Sequence, residues 1–173
     1  MFVETPRLVL RQMLQDDAAE FCRIVTIPAV GRMLFLFPPD WAVADAKNFI
    51  RRWTYRGARP FRLTVADTAG RFLGTAGVFT GPEPAIFYFL DPAFAGQGYG
   101  SEAVAAFAVW LFETFDLPAL TADVFDDNPA SKRVLIRLGF VETGIGTGTS
   151  AARLEPAPIT FYRLDRQDLR TPA

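Results

Sequence analysis

Histidine is missing from all 173 residues, and cysteine occurs once, as Cys22. Without an imidazole there is no ordinary zinc site and no Ser/His/Asp triad, which sets aside two large enzyme classes. A lone cysteine forms no internal disulfide and fits a reducing compartment. Excess charge is lacking too: 18 basic residues face 19 acidic ones, with no long run of either sign. Such a chain draws neither nucleic acid nor an anionic membrane by its overall field. The opening MFVETPRLVL has no basic segment followed by a long apolar core, and the longest apolar run, AVAAFAVWLF, stops at Glu113. The cytoplasm is therefore the expected location. No G-K-[ST] is present, which excludes a P-loop.

What is plentiful is apolar surface: half of the residues are hydrophobic and 17 are Phe. A chain of this length can bury a substantial core. No repeat, linker or change of composition divides it, so residues 1–173 are expected to form one domain.

RLVLRQM (7–13) alternates and reads as a strand, and the next segment puts Ala18, Phe21, Cys22 and Val25 on one helical face. MLFLFPPDW (33–41) is broken by two prolines and reads as a loop whose apolar residues pack on the core, with lining of an acceptor site as the alternative. A helix over VADAKNFIRRWTYR precedes FRLTVAD and RFLGTAGVF, a hairpin around the turn TAG. AIFYFL is wholly apolar and predicts a strand buried on both faces. Val104, Phe107, Ala108, Leu111, Phe112 and Phe115 then form one helical stripe. ALTADVF reads as a strand, and DDNPASKRVLIRLGF as a helix capped by Asn128, with Pro129 at its first position and Gly139 after its end. The weaker FVETGIG and the final ITFYRLDR complete the strands.

The chemistry-bearing stretch is AFAGQGYGSEA (93–103), where Gly96, Gly98 and Gly100 alternate between a buried strand and a helix. Unpaired N–H groups and the helix dipole at such a junction attract an anion, and glycines keep Cβ atoms out of its way. A phosphate or pyrophosphate is the expected guest; a plain strand-to-helix turn is the alternative, though one glycine normally suffices for it. Gly98-x-Gly100-x-x-Ala103 also fits a dinucleotide fingerprint, with Asp123 in the place of its ribose acid. That fingerprint normally opens an alternating β/α run, whereas this one follows a hairpin with only two helices after it.

The order of elements, FLDPAFAGQGYGSEA, and NPASKRVLIRLGF together resemble the GCN5-related N-acetyltransferase (GNAT) family, in particular its RimJ/RimL-like branch of ribosomal-protein alanine N-acetyltransferases. The likeness runs from TPRLVLRQM to ITFYRLDRQDL. It implies an α/β fold of the α+β kind, with a central mixed, mostly antiparallel sheet splayed in the middle and flanked by helices. It implies acetyl-CoA as cosubstrate, no metal, and direct acetyl transfer to a primary amine in a ternary complex. The acceptor would be a protein N-terminus or a small-molecule amine.

By the same resemblance the pyrophosphate lies on the amides around Gly96, Gln97, Gly98, Tyr99, Gly100 and Ser101, and the pantetheine pairs with Phe89 and Leu90. Asn128 and Ser131 face the CoA arm. Donors freed by a bulge near Leu90 would serve the oxyanion. Ser131 is the candidate acid, unless its hydroxyl only satisfies the first helical turn. Glu83 and Asp123 are the candidate bases, with Tyr88 or ordered water as alternatives. Glu102 and Glu113 read as helix charges. The chain departs from the family at Ala95, where Arg or Gln is usual, at Ala85, often Glu, and at Leu135, often the acid tyrosine. Those departures leave a second reading, a non-catalytic acyl-CoA-binding module. Exposed aromatics would support a homodimer.

Overall fold

A computed structural model describes residues 3–171. In chain order the elements are β1 (Val3–Glu4), β2 (Leu8–Gln12), α1 (Ala18–Val25), α2 (Pro28–Gly31), α3 (Val43–Trp53), β3 (Phe61–Asp67), β4 (Phe72–Val78), β5 (Ile86–Leu90), α4 (Tyr99–Phe115), β6 (Ala119–Phe125), α5 (Pro129–Arg137), β7 (Val141–Gly148) and β8 (Ala157–Asp165). The strands form two sheets, ordered β1-β2-β3-β4-β5 and β6-β8-β7. Every pairing within each is antiparallel. The sheets meet at one parallel bridge between Ala85 and Thr121, where the Thr121 N–H donates to Pro84 O at 3.1 Å. Beyond it β5 and β6 part, and the cleft between them is the splay.

Each face of the first sheet carries a core. On one side the α4 stripe, Val104, Phe107, Ala108, Leu111 and Phe112, packs against Leu10, Leu63 and Leu73. On the other, Phe21, Ile24, Phe37, Ile50 and Phe89 join α1, the loop at 33–41 and α3. Each such side chain taken from water contributes about 1.5–3 kcal/mol. α1 is tied to the sheet by Asp17, whose carboxylate accepts from Arg11 at 2.8 and 2.7 Å, from the Leu14 N–H at 2.8 Å and from Thr64 at 2.8 Å. Burial works against that charge, yet these donors outweigh it and hold the Asp17 carboxyl below its ordinary value.

α5 is built as its sequence predicts. Asn128 Oδ1 accepts from the Ser131 N–H at 3.1 Å, Pro129 sits in the first turn, and Gly139 ends the helix with φ 99°. One expectation needs correcting, and one alternative is taken. β5 is not buried on both faces: Ile86 and Phe89 are buried, but Phe87, Tyr88 and Leu90 are half-exposed. β5 is an edge strand of its sheet, and its apolar side chains line a cavity. The segment 33–41 does more than pack: Phe37 is buried, while Met33, Leu34, Phe35 and Leu36 stand along the wall of that cavity.

Candidate active site

α4 begins without a side-chain cap. Its N-cap is Gly98, with φ 81°, and Gly96 two residues earlier has φ 77°. Left-handed backbone at both positions is why glycine is needed there. Gly100 is different: a Cβ there would meet Val134 Cγ2 at 3.6 Å and Leu90 Cδ1 at 3.7 Å, ordinary contacts. The first intrahelical bond is Glu102 N–H to Gly98 O at 3.1 Å, so the N–H groups of Tyr99, Gly100 and Ser101 lie ahead of the ladder. Gly96, Gly98, Tyr99, Gly100 and Ser101 all line a cavity of about 630 Å³ that runs through the splay.

The turn is braced from the amino end of the chain by a residue that local sequence patterns did not single out. Arg7 Nη1 donates to Gln97 O at 2.8 Å, Nε to Glu102 Oε2 at 2.7 Å, and the guanidinium lies 4.5 Å over the Tyr99 ring. Thr5 adds a hydrogen bond to Glu102 Oε1 at 2.6 Å. Burial raises the Glu102 pKa, but the donors on Thr5 and Arg7 bring it below the ordinary value. Glu102 is thus a staple between β2 and α4 as well as a first-turn charge. On the other flank, Asp91 accepts from the Ala93 N–H at 2.9 Å and from Arg23, which fixes the bend after β5.

Deeper in, the Tyr88 hydroxyl lies 2.7 Å from Ser131 Oγ. Tyr88 reaches out from β5 and Ser131 from the first turn of α5, so the pair spans the cleft. The Ser131 hydroxyl is engaged there instead of on its own helix backbone. Burial pushes the Tyr88 pKa well above the usual tyrosine value, and the bond to Ser131 offsets only part of that. Tyr88 is therefore a neutral proton donor at physiological pH. Leu135, at the position of the family's tyrosine, is fully buried in the core.

The two candidate bases are separated by the fold. Asp123 lines the cavity from β6 with its side chain open to it; partial desolvation by the cleft walls raises its pKa, and no hydrogen-bond partner holds it among the described residues. Glu83 is exposed and ion-paired with Arg163, and it does not line the cavity. It sits just before Pro84 and Ala85, at the closed end where the sheets touch.

The expected bulge near Leu90 is absent. The β4–β5 ladder runs in register from Val78–Ile86 to Gly74–Leu90 and continues with the Asp91 N–H on Leu73 O at 2.7 Å. The register shift lies instead between β3 and β4, at Val65/Ala66. Because antiparallel partners alternate, Phe87, Phe89 and Asp91 turn their backbone groups toward β4, while Tyr88 and Leu90 turn theirs to the cleft. Free donors and acceptors arise from the strand's place at the sheet edge. Phe89 belongs with its side chain in the aromatic core, so Tyr88 and Leu90 are the pair available to a ligand's backbone-like arm.

Three arginines complete the lining. Arg133 and Arg137 extend from α5, exposed and without a carboxylate partner among the described residues. Arg62, on β3, is only 3% exposed. Burial pushes its pKa down to about 9, which leaves it a cation at neutral pH. Among the described residues no three His, Cys, Asp or Glu side chains gather as a metal site, and no helix is long and apolar enough to cross a membrane.

Residues 7–141 match the family model described as an acetyltransferase (GNAT) domain. The chain is 28% identical over 151 residues to the uncharacterized N-acetyltransferase YoaA of Bacillus subtilis, covering 83% of this chain and 84% of that one. Its fold is similar to spermidine N-acetyltransferase of Vibrio cholerae, solved with CoA and spermine, at TM-score 0.82 and 14% identity over 95% of this chain and 98% of that one. Mycobacterium smegmatis RimJ, solved with CoA-disulfide, superposes at TM-score 0.80 and 20% identity, over 94% and 83% of the two chains. Since the family model spans residues 7–141, well over half of the chain, the chain belongs to the GNAT family of acetyltransferases.

Proposed function

We propose that the protein is an acetyl-CoA-dependent N-acetyltransferase that moves the acetyl group directly onto a primary amine in a ternary complex. The observation that carries this reading is the uncapped start of α4, after Gly96 and Gly98, opening on the same cavity as the Tyr88–Ser131 pair. The residues present fit the cosubstrate. The cradle would hold the pyrophosphate on the amides of Gly98, Tyr99, Gly100 and Ser101, with Gly96 and Gln97 shaping the approach. A charge at a helix N-terminus contributes about 0.3–1 kcal/mol, and up to about 2 when partly buried. Arg133 and Arg137 supply cations on the facing helix, which answers the missing side chain at Ala95. The outward backbone groups of Tyr88 and Leu90 take the pantetheine as an added strand, and Asn128 orients the arm beside Ser131.

The thioester supplies an activated acyl carbon. Transfer then needs a neutral amine, donors for the charge that develops on the acyl oxygen, and a proton for the departing thiolate. Leu90 or Tyr88 N–H serves the oxygen from the cleft edge. Tyr88 and Ser131 act as one hydroxyl pair: one hydroxyl gives its proton to the sulfur, the other passes its own proton on to it, and solvent returns the missing proton to the pair before the next turnover. Asp123, alone among the cavity's carboxylates in lacking an ion-pair partner, takes the amine's proton directly or through water.

The test begins with a thermal-shift titration of acetyl-CoA, with NAD and ATP as controls. Binding to the native state alone at 100 times Kd adds about 2.7 kcal/mol. A shift with acetyl-CoA and not the controls, followed by amine-dependent release of free thiol, is the expected result. Tight binding without turnover across a broad panel of amines would overturn it.

A further inference from the structure

Arg62 has no role in the chemistry above, yet it is the most costly side chain in the cavity wall. It is buried to 97%, counting from its 3% exposure. Nη1 donates to Thr75 Oγ1 at 2.8 Å, and Nε, itself fully enclosed, has no acceptor among the described residues. None of the ion pairs among the described residues includes it. Taking a guanidinium from water without a counter-charge costs several kcal/mol.

Its surroundings are rings. The Cζ atom lies 4.5 Å from the Phe87 ring centre, 5.3 Å from Phe49, 5.5 Å from Phe37, 5.6 Å from Phe21, 5.8 Å from Phe89 and 6.0 Å from Trp53. Desolvated cation–π contacts offset part of the cost, but they provide no acceptor for N–H groups. The sheet also makes room for this arrangement. Arg62, Gly77 and Phe87 stand side by side in register across β3, β4 and β5. A Cβ at Gly77 would overlap the Phe87 ring, so the glycine is the notch through which that ring reaches the guanidinium.

The lining that adjoins this aromatic cluster is apolar: Phe79, whose ring centre lies 4.5 Å from that of Phe87, and Leu34, which packs on the cluster of Phe21, Phe37 and Phe89, line the cavity together with Arg62. Among the described residues only two carboxylates touch the cavity, Asp91 and Asp123, and Asp91 is already bound to Arg23. A polyamine would bring a second cation toward Arg62 and find no anion to receive it. A small molecule that carries an anion on an apolar skeleton would supply what Arg62 lacks.

Resting on the acetyltransferase reading, we infer that the acceptor is an apolar amino acid, an amine and a carboxylate on one hydrophobic frame, whose carboxylate pairs with Arg62. Arg62 is then the specificity residue. The carboxylate accepts from the edge of the guanidinium that borders the cavity, and the side chain of the acceptor lies against Leu34 and Phe79. The amine is left to face Asp123 and the acyl group.

Two ligand pairs test this on the unaltered protein, without reliance on any variant folding. The first is binding of 3-phenylpropanoate against its neutral amide by calorimetry, with CoA present. The second is acetylation of phenylalanine against phenylalanine amide, phenethylamine and spermine. The carboxylate is expected to bind at least 10-fold more tightly than the amide, and phenylalanine to exceed the other amines at least 10-fold in kcat/KM. Both ratios should collapse toward one in Arg62→Met, with its acetyl-CoA thermal shift retained as evidence of a folded cradle. Equal binding of the propanoate and its amide would overturn the inference, and so would phenethylamine or spermine turning over as well as phenylalanine. The last outcome leaves the acetyltransferase reading standing. Absence of any acetyl-CoA shift removes that reading instead, while the propanoate binding still reports on Arg62.

Discussion

Tyr88 Oη and Ser131 Oγ lie 2.7 Å apart across the cleft, one from a strand and one from a helix 43 positions away. If they pass a proton to the thiolate, Tyr88→Phe lowers kcat by roughly 10²-fold, the low end for a positioned acid, and leaves KM for acetyl-CoA nearly unchanged. Ser131→Ala has the same sign and a smaller effect. Since burial raises the Tyr88 pKa, its protonated form persists as pH climbs through the ordinary tyrosine value of about 10. Activity is lost only above that, so the alkaline limb of kcat in the wild type should lie beyond the range where a free tyrosine titrates. A limb unchanged in Tyr88→Phe would remove the pair from the proton transfer.

Gly98 and Gly100 separate two roles that the sequence merges. Gly98→Ala places a Cβ at φ 81° and about 1–2 kcal/mol of strain at the helix start. It should lower the denaturation midpoint and weaken CoA. Gly100→Ala meets only ordinary contacts and should leave stability unchanged or raise it by about 0.5 kcal/mol. Chemical denaturation of both variants, with CoA calorimetry, checks the contrast.

On the proposed function, Arg133 and Arg137 act on the cosubstrate through charge. Replacing each by Ser should cost on the order of 0.5–1 kcal/mol of CoA binding at low salt. The loss should shrink at 1 M salt, where the Debye length is about 3 Å. Measuring the dissociation constant against ionic strength for wild type and the double variant decides it; parallel salt slopes would exclude both arginines.

Asp17 governs acid stability at the α1–β3 contact. Its folded pKa is depressed, so the stabilisation is present above the unfolded value and fades as pH falls through the folded one. Asp17→Asn should cost about 1–3 kcal/mol at neutral pH, because buried donors on Arg11 and Thr64 lose a charged acceptor. The gap between variant and wild type should narrow below the ordinary aspartate range. Urea midpoints from pH 7 to pH 3 measure both.

The glycine turn, the α4 stripe and the capped α5 were legible because each is local: spacing, dihedral demand and capping chemistry lie within one short window. AIFYFL misled because apolar composition does not say whether a strand faces core or cavity. Glu83 was misplaced because chain proximity to β5 says nothing about which end of the splay is closed. Arg62 in FRLTVAD alternates like a solvent-facing residue, and only α1, α3 and the loop at 33–41, folded over that face, make it a buried cation. The Tyr88–Ser131 pair and the Arg7 brace depend on separate parts of the chain meeting, which no local pattern encodes.

The single bridge at Ala85 and Thr121 gives the two sheets a hinge at one end and a gap at the other. On the proposed function, an acyl-CoA arm seated on Tyr88 and Leu90 is in effect a ninth strand delivered from solution, making rungs that the eight described strands leave unmade. At 100 times Kd it adds about 2.7 kcal/mol, enough to change the open fraction about a hundredfold. On that reading the lifetime of the molecule against proteases follows the supply of CoA, acylated or free, since the arm and not the acyl group makes the added rungs.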